Sequence, residues 1–159
     1  MTRVLVVDDE EGIRKLMRRM LEDAGYEVAE AEDSDAALAR LAEQPAAAAF
    51  CDIQMPGHDG LWLTAEIRKT YPLTAVILAT GVSTVPANIS MQHGVLAYLV
   101  KPFTRARVLK ALESALAWHD AAVVTPPAPE PLDLKDRLQD WLDNIDDQLP
   151  PAPEGSTLG

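Results

Sequence analysis

Short apolar runs alternate with longer amphipathic stretches over the first three quarters of the chain, and this pattern predicts strands and helices in series. Strands are predicted over 3–7, 26–30, 47–51, 75–79 and 96–100, with Val4-Leu5-Val6-Val7 and Ala75-Val76-Ile77-Leu78-Ala79 the clearest. Runs that are apolar almost throughout suit strands of a parallel sheet covered on both faces. Between them, Ile13, Leu16, Met17, Met20 and Leu21 recur at helical spacing, as do Leu61, Ala65 and Ile67, and then Val108, Leu109, Leu112 and Leu116. Five such alternations predict an α/β fold over residues 1–119: a five-stranded, doubly wound parallel sheet with helices on both faces. Asp59 is placed to cap a helix, because a short side-chain acceptor satisfies the free amides of a first turn, and Gly25 and Gly57 mark turns.

Two stretches fit this pattern poorly. The third strand is written Ala46 to Ala49 before Phe50 and Cys51, and alanine gives a pleated surface little to pack, so this strand is expected to depend on its neighbours. Residues 83–93, where the fourth helix belongs, contain Val85, Pro86, Asn88, Ile89 and Ser90, a weak helical set that predicts a short or mobile element. Beyond the repeats the character changes. Residues 120–131 read as a Pro-rich linker, with four prolines between Thr125 and Pro131. Residues 132–149 read as an acidic amphipathic helix, with Leu134, Leu138, Trp141, Leu142, Ile145 and Leu149 on one face and Asp136, Asp140, Asp143 and Asp147 on the other. Such a helix is marginal alone in water, so its apolar face calls for a partner: this domain, a second copy in a homodimer, or another protein. Residues 150–159 predict a disordered tail.

Charge sharpens this division. Residues 1–119 carry 12 Lys+Arg against 16 Asp+Glu and residues 120–159 carry 2 against 9, so most of the net charge of −11 lies in the extension. Nucleic-acid phosphates would repel such a chain, and no nucleic-acid partner is expected. A single cysteine leaves no intramolecular disulfide, and neither a secretion signal nor a membrane span is legible, so the cytoplasm is the expected compartment.

The polar residues that interrupt this pattern fall where strands should stop. Asp8 and Asp9 follow the first apolar run, Asp52 the third, Thr80 the fourth and Lys101 the fifth. In open α/β sheets the carboxyl ends of strands border the ligand crevice, and carboxylates gathered there repel one another unless a cation intervenes. Asp8, Asp9 and Asp52 are hard oxygen ligands suited to Mg²⁺. One carboxylate could then accept a phosphoryl group as an aspartyl phosphate, while Lys101 offers a compact positive charge and Thr80 a hydroxyl to the phosphoryl oxygens.

Four segments in order, Val6-Val7-Asp8-Asp9-Glu10, Asp52 to Gly60, Leu78-Ala79-Thr80-Gly81 and Tyr98-Leu99-Val100-Lys101-Pro102-Phe103, resemble the receiver (CheY-like) domain of the two-component response-regulator family. The resemblance implies a flavodoxin-like (βα)5 fold and phosphorelay signal transduction. In it Asp52 is the phosphoacceptor, Asp9 and Asp52 bind Mg²⁺ directly, Asp8 assists through water, and Gln54 contributes its backbone carbonyl. It further implies that Thr80 and Lys101 contact the phosphoryl group, that the Lys101–Pro102 peptide is cis, and that Thr80 and Tyr98 act as the switch. The partner it implies is a sensor histidine kinase or a His-containing phosphotransfer protein. The output is a changed affinity of the surface made by the fourth helix, fifth strand and fifth helix. Gln54 and Val82 occupy positions that influence how long the phosphoryl group survives. An apolar Val82 cannot orient an attacking water, so a long-lived phosphoprotein is expected.

The remaining candidates are weaker. Cys51 is expected in the core, since adjacent strand residues face opposite sides of a sheet. His58 lies in the loop after Asp52 without an evident orienting partner, and His93 and His119 carry no signal. Trp62 and Trp118 suit amphipathic packing, and Trp141 suits an interaction. The functional expectation is a signalling switch rather than an enzyme, acting as a stand-alone regulator without a DNA-binding domain. The alternatives are a receiver fragment of a longer response regulator and an aspartyl-phosphate phosphatase of the haloacid dehalogenase type. The last would need a second acid two residues after the nucleophile, where this chain has Gln54.

Overall fold

The computed structural model describes residues 1–81 and 95–126, apart from the side chains of Thr80, Leu96 and Tyr98. Its elements run β1 (Arg3–Val7), α1 (Glu11–Asp23), β2 (Glu27–Ala31), α2 (Ser34–Glu43), β3 (Ala48–Asp52), α3 (Gly60–Thr70), β4 (Ala75–Thr80), β5 (Val95–Val100) and α4 (Arg105–Val124). All five strands are parallel, in the order β2-β1-β3-β4-β5. The expected helix over 83–93, the helix over 132–149 and the tail over 150–159 lie outside the described residues.

Alternation along the strands divides the core into two layers. Leu5 and Val7 of β1, Ala49 and Cys51 of β3, and Val76 and Leu78 of β4 join Leu41 of α2 and Leu61 and Ile67 of α3. Val4 and Val6, Phe50 and Ile77 face the other way, toward Met17 and Leu21 of α1 and Val108 and Leu112 of α4. Each face of the sheet is thus covered by helices, which is why the strands could be apolar at nearly every position. The sheet is doubly wound, as its sequence pattern predicts.

β3 shows how the alanine run is tolerated. It is the central strand, in register with β1 on one side and β4 on the other, and all five of its residues are buried. Its backbone groups are satisfied by two neighbours, and its small side chains are buried in the two core layers; Phe50 supplies most of its apolar bulk. The helix ends follow local chemistry as well. Asp33 accepts from the Ala36 amide at 2.8 Å, Asp59 from the Trp62 amide at 2.9 Å and Thr104 from the Arg107 amide at 3.2 Å, each satisfying a free first-turn donor. Gly25 and Gly57 have φ of 96° and 77°, the left-handed region that a side chain disfavours.

Several details differ from the sequence reading, β4 and β5 each being one residue longer than expected. β2 and β3 each lie one residue later than expected, because pairing with β1 and β4 extends to Ala31 and Asp52. Leu16 is 45% exposed although it shares the helical period of Met17 and Leu21; it lies on the flank of α1, outside the arc that reaches the sheet. α4 continues to Val124, through residues 120–124 that the proline content assigns to the spacer, because Ala122 is still buried against the domain. Trp62 and Trp118 both pack at the margins of the core layers, and Trp62 also stacks on His58 with ring centroids 3.7 Å apart. Among the described residues no helix is long and apolar enough to cross a membrane.

Because Phe50 sits in the middle of the central strand and is fully buried, Phe50→Ala is expected to cost about 3–5 kcal/mol. Equilibrium urea unfolding measures this directly.

Candidate functional site

Strand order decides where the site forms. The chain winds outward to β2, then crosses back past β1 to β3, so the direction of winding reverses between β1 and β3, and a crevice opens beyond their carboxyl ends. Asp8 follows β1, and its amide still donates to the Ala31 carbonyl of β2 at 3.1 Å. Asp52 is the last residue of β3, held by the Ile53 amide, which donates to the Ala79 carbonyl at 3.0 Å. Both carboxylates are consequently buried, Asp8 at 2% exposure and Asp52 at 5%.

Lys101 joins them from the loop after β5. Its Nζ lies 2.9 Å from Asp8 Oδ2, 3.3 Å from Asp52 Oδ2 and 3.9 Å from Glu10 Oε1. The other oxygen of each buried carboxylate accepts a backbone amide: Asp8 Oδ1 from Glu10 at 2.9 Å and Asp52 Oδ1 from Gln54 at 3.3 Å. Each carboxylate is therefore oriented at both ends. The Lys101–Pro102 peptide bond is cis.

The charges do not balance. Burial and the neighbouring Asp8 push the Asp52 carboxyl up to about 6, and the pull of Lys101 and of the Gln54 amide offsets only part of this. Burial draws the Lys101 ammonium down, but Asp8 and Asp52 together outweigh it and hold it above its ordinary value. One lysine thus faces two buried carboxylates, and Asp9 and Glu10 stand at the solvent side of the same loop. Asp8, Asp9 and Glu10 each bring a carboxylate oxygen within 4.8 Å of one another. This is a donor set of hard oxygens with excess negative charge, which fits a small divalent cation such as Mg²⁺.

The sequence reading missed four residues that support this arrangement. Gly60, the first residue of α3, packs so tightly on the Asp52 carbonyl and the Ile53 backbone that a Cβ there would collide with both, and its amide donates to the Ile53 carbonyl at 2.9 Å. Ser34, buried at the start of α2, donates to the His58 carbonyl at 2.7 Å and so ties down the loop that follows Asp52. Arg14 donates to the Asp8 carbonyl at 2.6 Å and pairs with Glu30 at 3.5 Å, coupling α1 to the carboxylate loop and β2. Glu10 is the third acid around Lys101. Gly60 and Glu10 stood inside the motifs, but only their spatial neighbours reveal their roles; nothing in the sequence marks Ser34 or Arg14. Of the remaining expected site residues, Thr80 ends β4 opposite Val100 and Tyr98 lies in β5 opposite Leu78. Their side chains, and all of Val82, are outside the described residues. Cys51, beside Asp52, is fully buried, and burial together with the Asp52 charge pushes its thiol up to about 12, so it is chemically quiet.

Comparison with known proteins agrees with this geometry. Residues 4–113 match the Response regulator receiver domain family. The NtrX-like response regulator of Rickettsia bellii is 36% identical over 140 residues, which cover 86% of this chain and 28% of that protein. The chemotaxis protein CheY4 of Vibrio cholerae is 33% identical with a TM-score of 0.67, covering 73% of this chain and 99% of that one. The response regulator TrrA of Thermotoga maritima, solved in complex with Mg²⁺-BeF, is 34% identical with a TM-score of 0.65, covering 73% of this chain and all of that one. The chain belongs to the receiver domain family of two-component response regulators, with the CheY-like flavodoxin fold. It spans about a quarter of the length of the curated relatives it matches.

The Asp52 shift sets a pH dependence in metal-free solution. The unfolded aspartate releases its proton near 3.8 and the folded one near 6, so the native state binds more protons between these values and stability falls as pH rises through that window. Asp52→Asn, which removes the charge, is expected to stabilise the metal-free domain at pH 7 by about 1–3 kcal/mol and to lose that advantage toward pH 4. Thermal melts in chelator across that range check the sign. Gly60→Ala is expected to lower Tm and to weaken Mg²⁺ binding, measured by the Mg²⁺ dependence of Tm, because the carbonyl it would strike belongs to Asp52.

Proposed function

We propose that the chain is a phosphorylation-operated switch in which Asp52 accepts a phosphoryl group from a sensor histidine kinase or a His-containing phosphotransfer protein. The observation that carries this reading is the single ammonium of Lys101 set between two buried carboxylates, with Asp52 at the strand end and open acids beside it. An Asp52 oxygen attacks the phosphorus of a phosphohistidine, the P–N bond breaks, and the leaving imidazole takes up a proton. Asp8, Asp9 and Asp52, with the Gln54 carbonyl, would hold Mg²⁺, which supplies positive charge to the transferring phosphoryl oxygens when bound. Lys101 would neutralise one of those oxygens, and Thr80 would donate a hydroxyl to another. TrrA, similar in sequence and fold, was solved with Mg²⁺ and a beryllofluoride, which supports carrying the metal over to this donor set.

Phosphorylation adds about 1.5 to 2 negative charges at the crevice, and Lys101 is drawn from Asp8 toward the new oxygens. Thr80 and Tyr98 then pass the change to the surface around β5 and α4, altering affinity for a protein partner by about 1–3 kcal/mol. The output is a protein contact in the stand-alone reading. The much greater length of the NtrX-like relatives favours a second reading, in which this receiver controls further domains of a longer regulator.

Treatment with a small-molecule phosphodonor and Mg²⁺ is expected to add one phosphoryl group, seen as a mass shift of the intact chain. Asp52→Asn should abolish the gain, Lys101→Ala should slow it strongly, and chelator should suppress it. A gain that persists in Asp52→Asn would overturn the assignment. The phosphorylated protein is expected to be long-lived, since neither Val82 nor Gln54 can act as a base for an attacking water; rapid loss of the mass shift after removal of the donor would count against this.

A further inference from the structure

The opposite end of the sheet holds a cavity that the chemistry above does not use. It has a volume of about 620 Å³, and its walls include Arg3, Ala47, Tyr71, Leu73, Leu116 and His119. These residues come from the start of β1, the residue before β3, the turn between α3 and β4, and the second half of α4. The walls are firmly built. His119 Nδ1 donates to the Leu73 carbonyl at 2.7 Å, Arg68 donates to the carbonyls of Thr74 and Pro72 at 2.8 and 2.9 Å, and Thr74 Oγ1 donates to the Ala46 carbonyl at 2.7 Å. Arg3 and Asp120 are the charged members of the wall. Arg3 Nη1 reaches Glu27 at 3.0 Å, while its Nε is buried without a hydrogen-bond partner among the described residues. A largely apolar hollow with an under-used guanidinium suits an occupant that combines an apolar anchor with a carboxylate.

The chain itself leads away from this hollow with such a segment attached. α4 follows a parallel strand and therefore runs back toward the amino-terminal edge of the sheet. One turn beyond His119 it exposes Val123 at 52% and Val124 at 83%, among the few large apolar side chains exposed in the described residues. Residues 125–131 can span at most roughly 24 Å, and residues 132–149 as a helix would measure roughly 27 Å. Both lengths match an excursion that returns across the end of the domain. The apolar stripe of Leu134, Leu138, Trp141, Leu142, Ile145 and Leu149 has Asp146 at its edge. We propose that residues 132–149 form a helix that folds back on its own domain, covers Val123 and Val124, and seats Trp141 in this cavity with an edge carboxylate such as Asp146 beside Arg3. The seven-residue connection from Thr125 to Pro131 favours the same molecule over a second copy, because it holds the segment at a high effective concentration.

A nitroxide on an introduced cysteine tests this in the full chain. Gln148→Cys can be labelled selectively, since Cys51 is fully buried. Paramagnetic broadening of the amide signals of residues 45–47, 70–74 and 116–120 is expected, with no broadening near Asp8 and Asp52. The double substitution Leu138→Ala and Trp141→Ala should restore those signals without changing the rest of the spectrum. Absence of broadening around the cavity would overturn the proposal. So would broadening that arises only when spin-labelled chains without ¹⁵N are mixed with unlabelled ¹⁵N chains, which would assign the contact to a second copy. Broadening that survives the double substitution would exclude Trp141 as the anchor and equally refute the assignment.

Discussion

Two carboxylates held out of water at the ends of neighbouring strands repel each other, and the ammonium of Lys101 is what lets them coexist. Asp8 and Asp52 are brought together by the pairing of β1 with β3, which the apolar core enforces from both faces of the sheet. Lys101 arrives from the far edge, after β5, so the ion triad closes only when the whole sheet is in register. The site is thus a readout of the fold's completion, and its residual negative charge suits a divalent cation. Energy stored in hydrophobic packing is in this sense spent on holding an electrostatically unfavourable cluster in place.

The supporting residues explain why the cluster holds its geometry. Gly60 lets α3 begin directly on the Asp52 backbone, and Ser34 fastens the loop that follows. Arg14 secures the carbonyl of Asp8 from α1. It also joins Arg18 and Lys15 around Glu30; burial alone would push that carboxyl up, but the three cations hold it below its usual value. Elements from both faces of the sheet therefore converge on one crevice.

The two ends of the sheet divide the labour. The carboxyl edge carries the acids and the lysine. The amino edge is fastened by neutral and cationic contacts: Arg68 to the carbonyls before β4, its guanidinium 5.1 Å from the Trp118 ring centroid, and His119 to Leu73. A segment docked at the amino edge would leave the carboxylate crevice open, so chemistry and attachment need not compete for the same surface.

Much of this was legible in the chain. The alternation of apolar runs with helical periods determined the number and kind of elements, because burial on both faces of a sheet demands it. Residue types that interrupt that pattern, Asp8, Asp9, Asp52 and Lys101, marked the site, because an open α/β sheet gathers the residues at its strand carboxyl ends around one crevice. Other features had no local signature. That Leu16 faces water while Met17 does not, that Ala122 still belongs to the last helix, and that Gly60, Ser34 and Arg14 brace the acids depend on contacts between residues distant in sequence. Sequence alone determined which groups could do the chemistry; tertiary structure decided which of them meet, how deeply they are buried and so how strongly their charges act, because distance and desolvation exist only once the chain has folded.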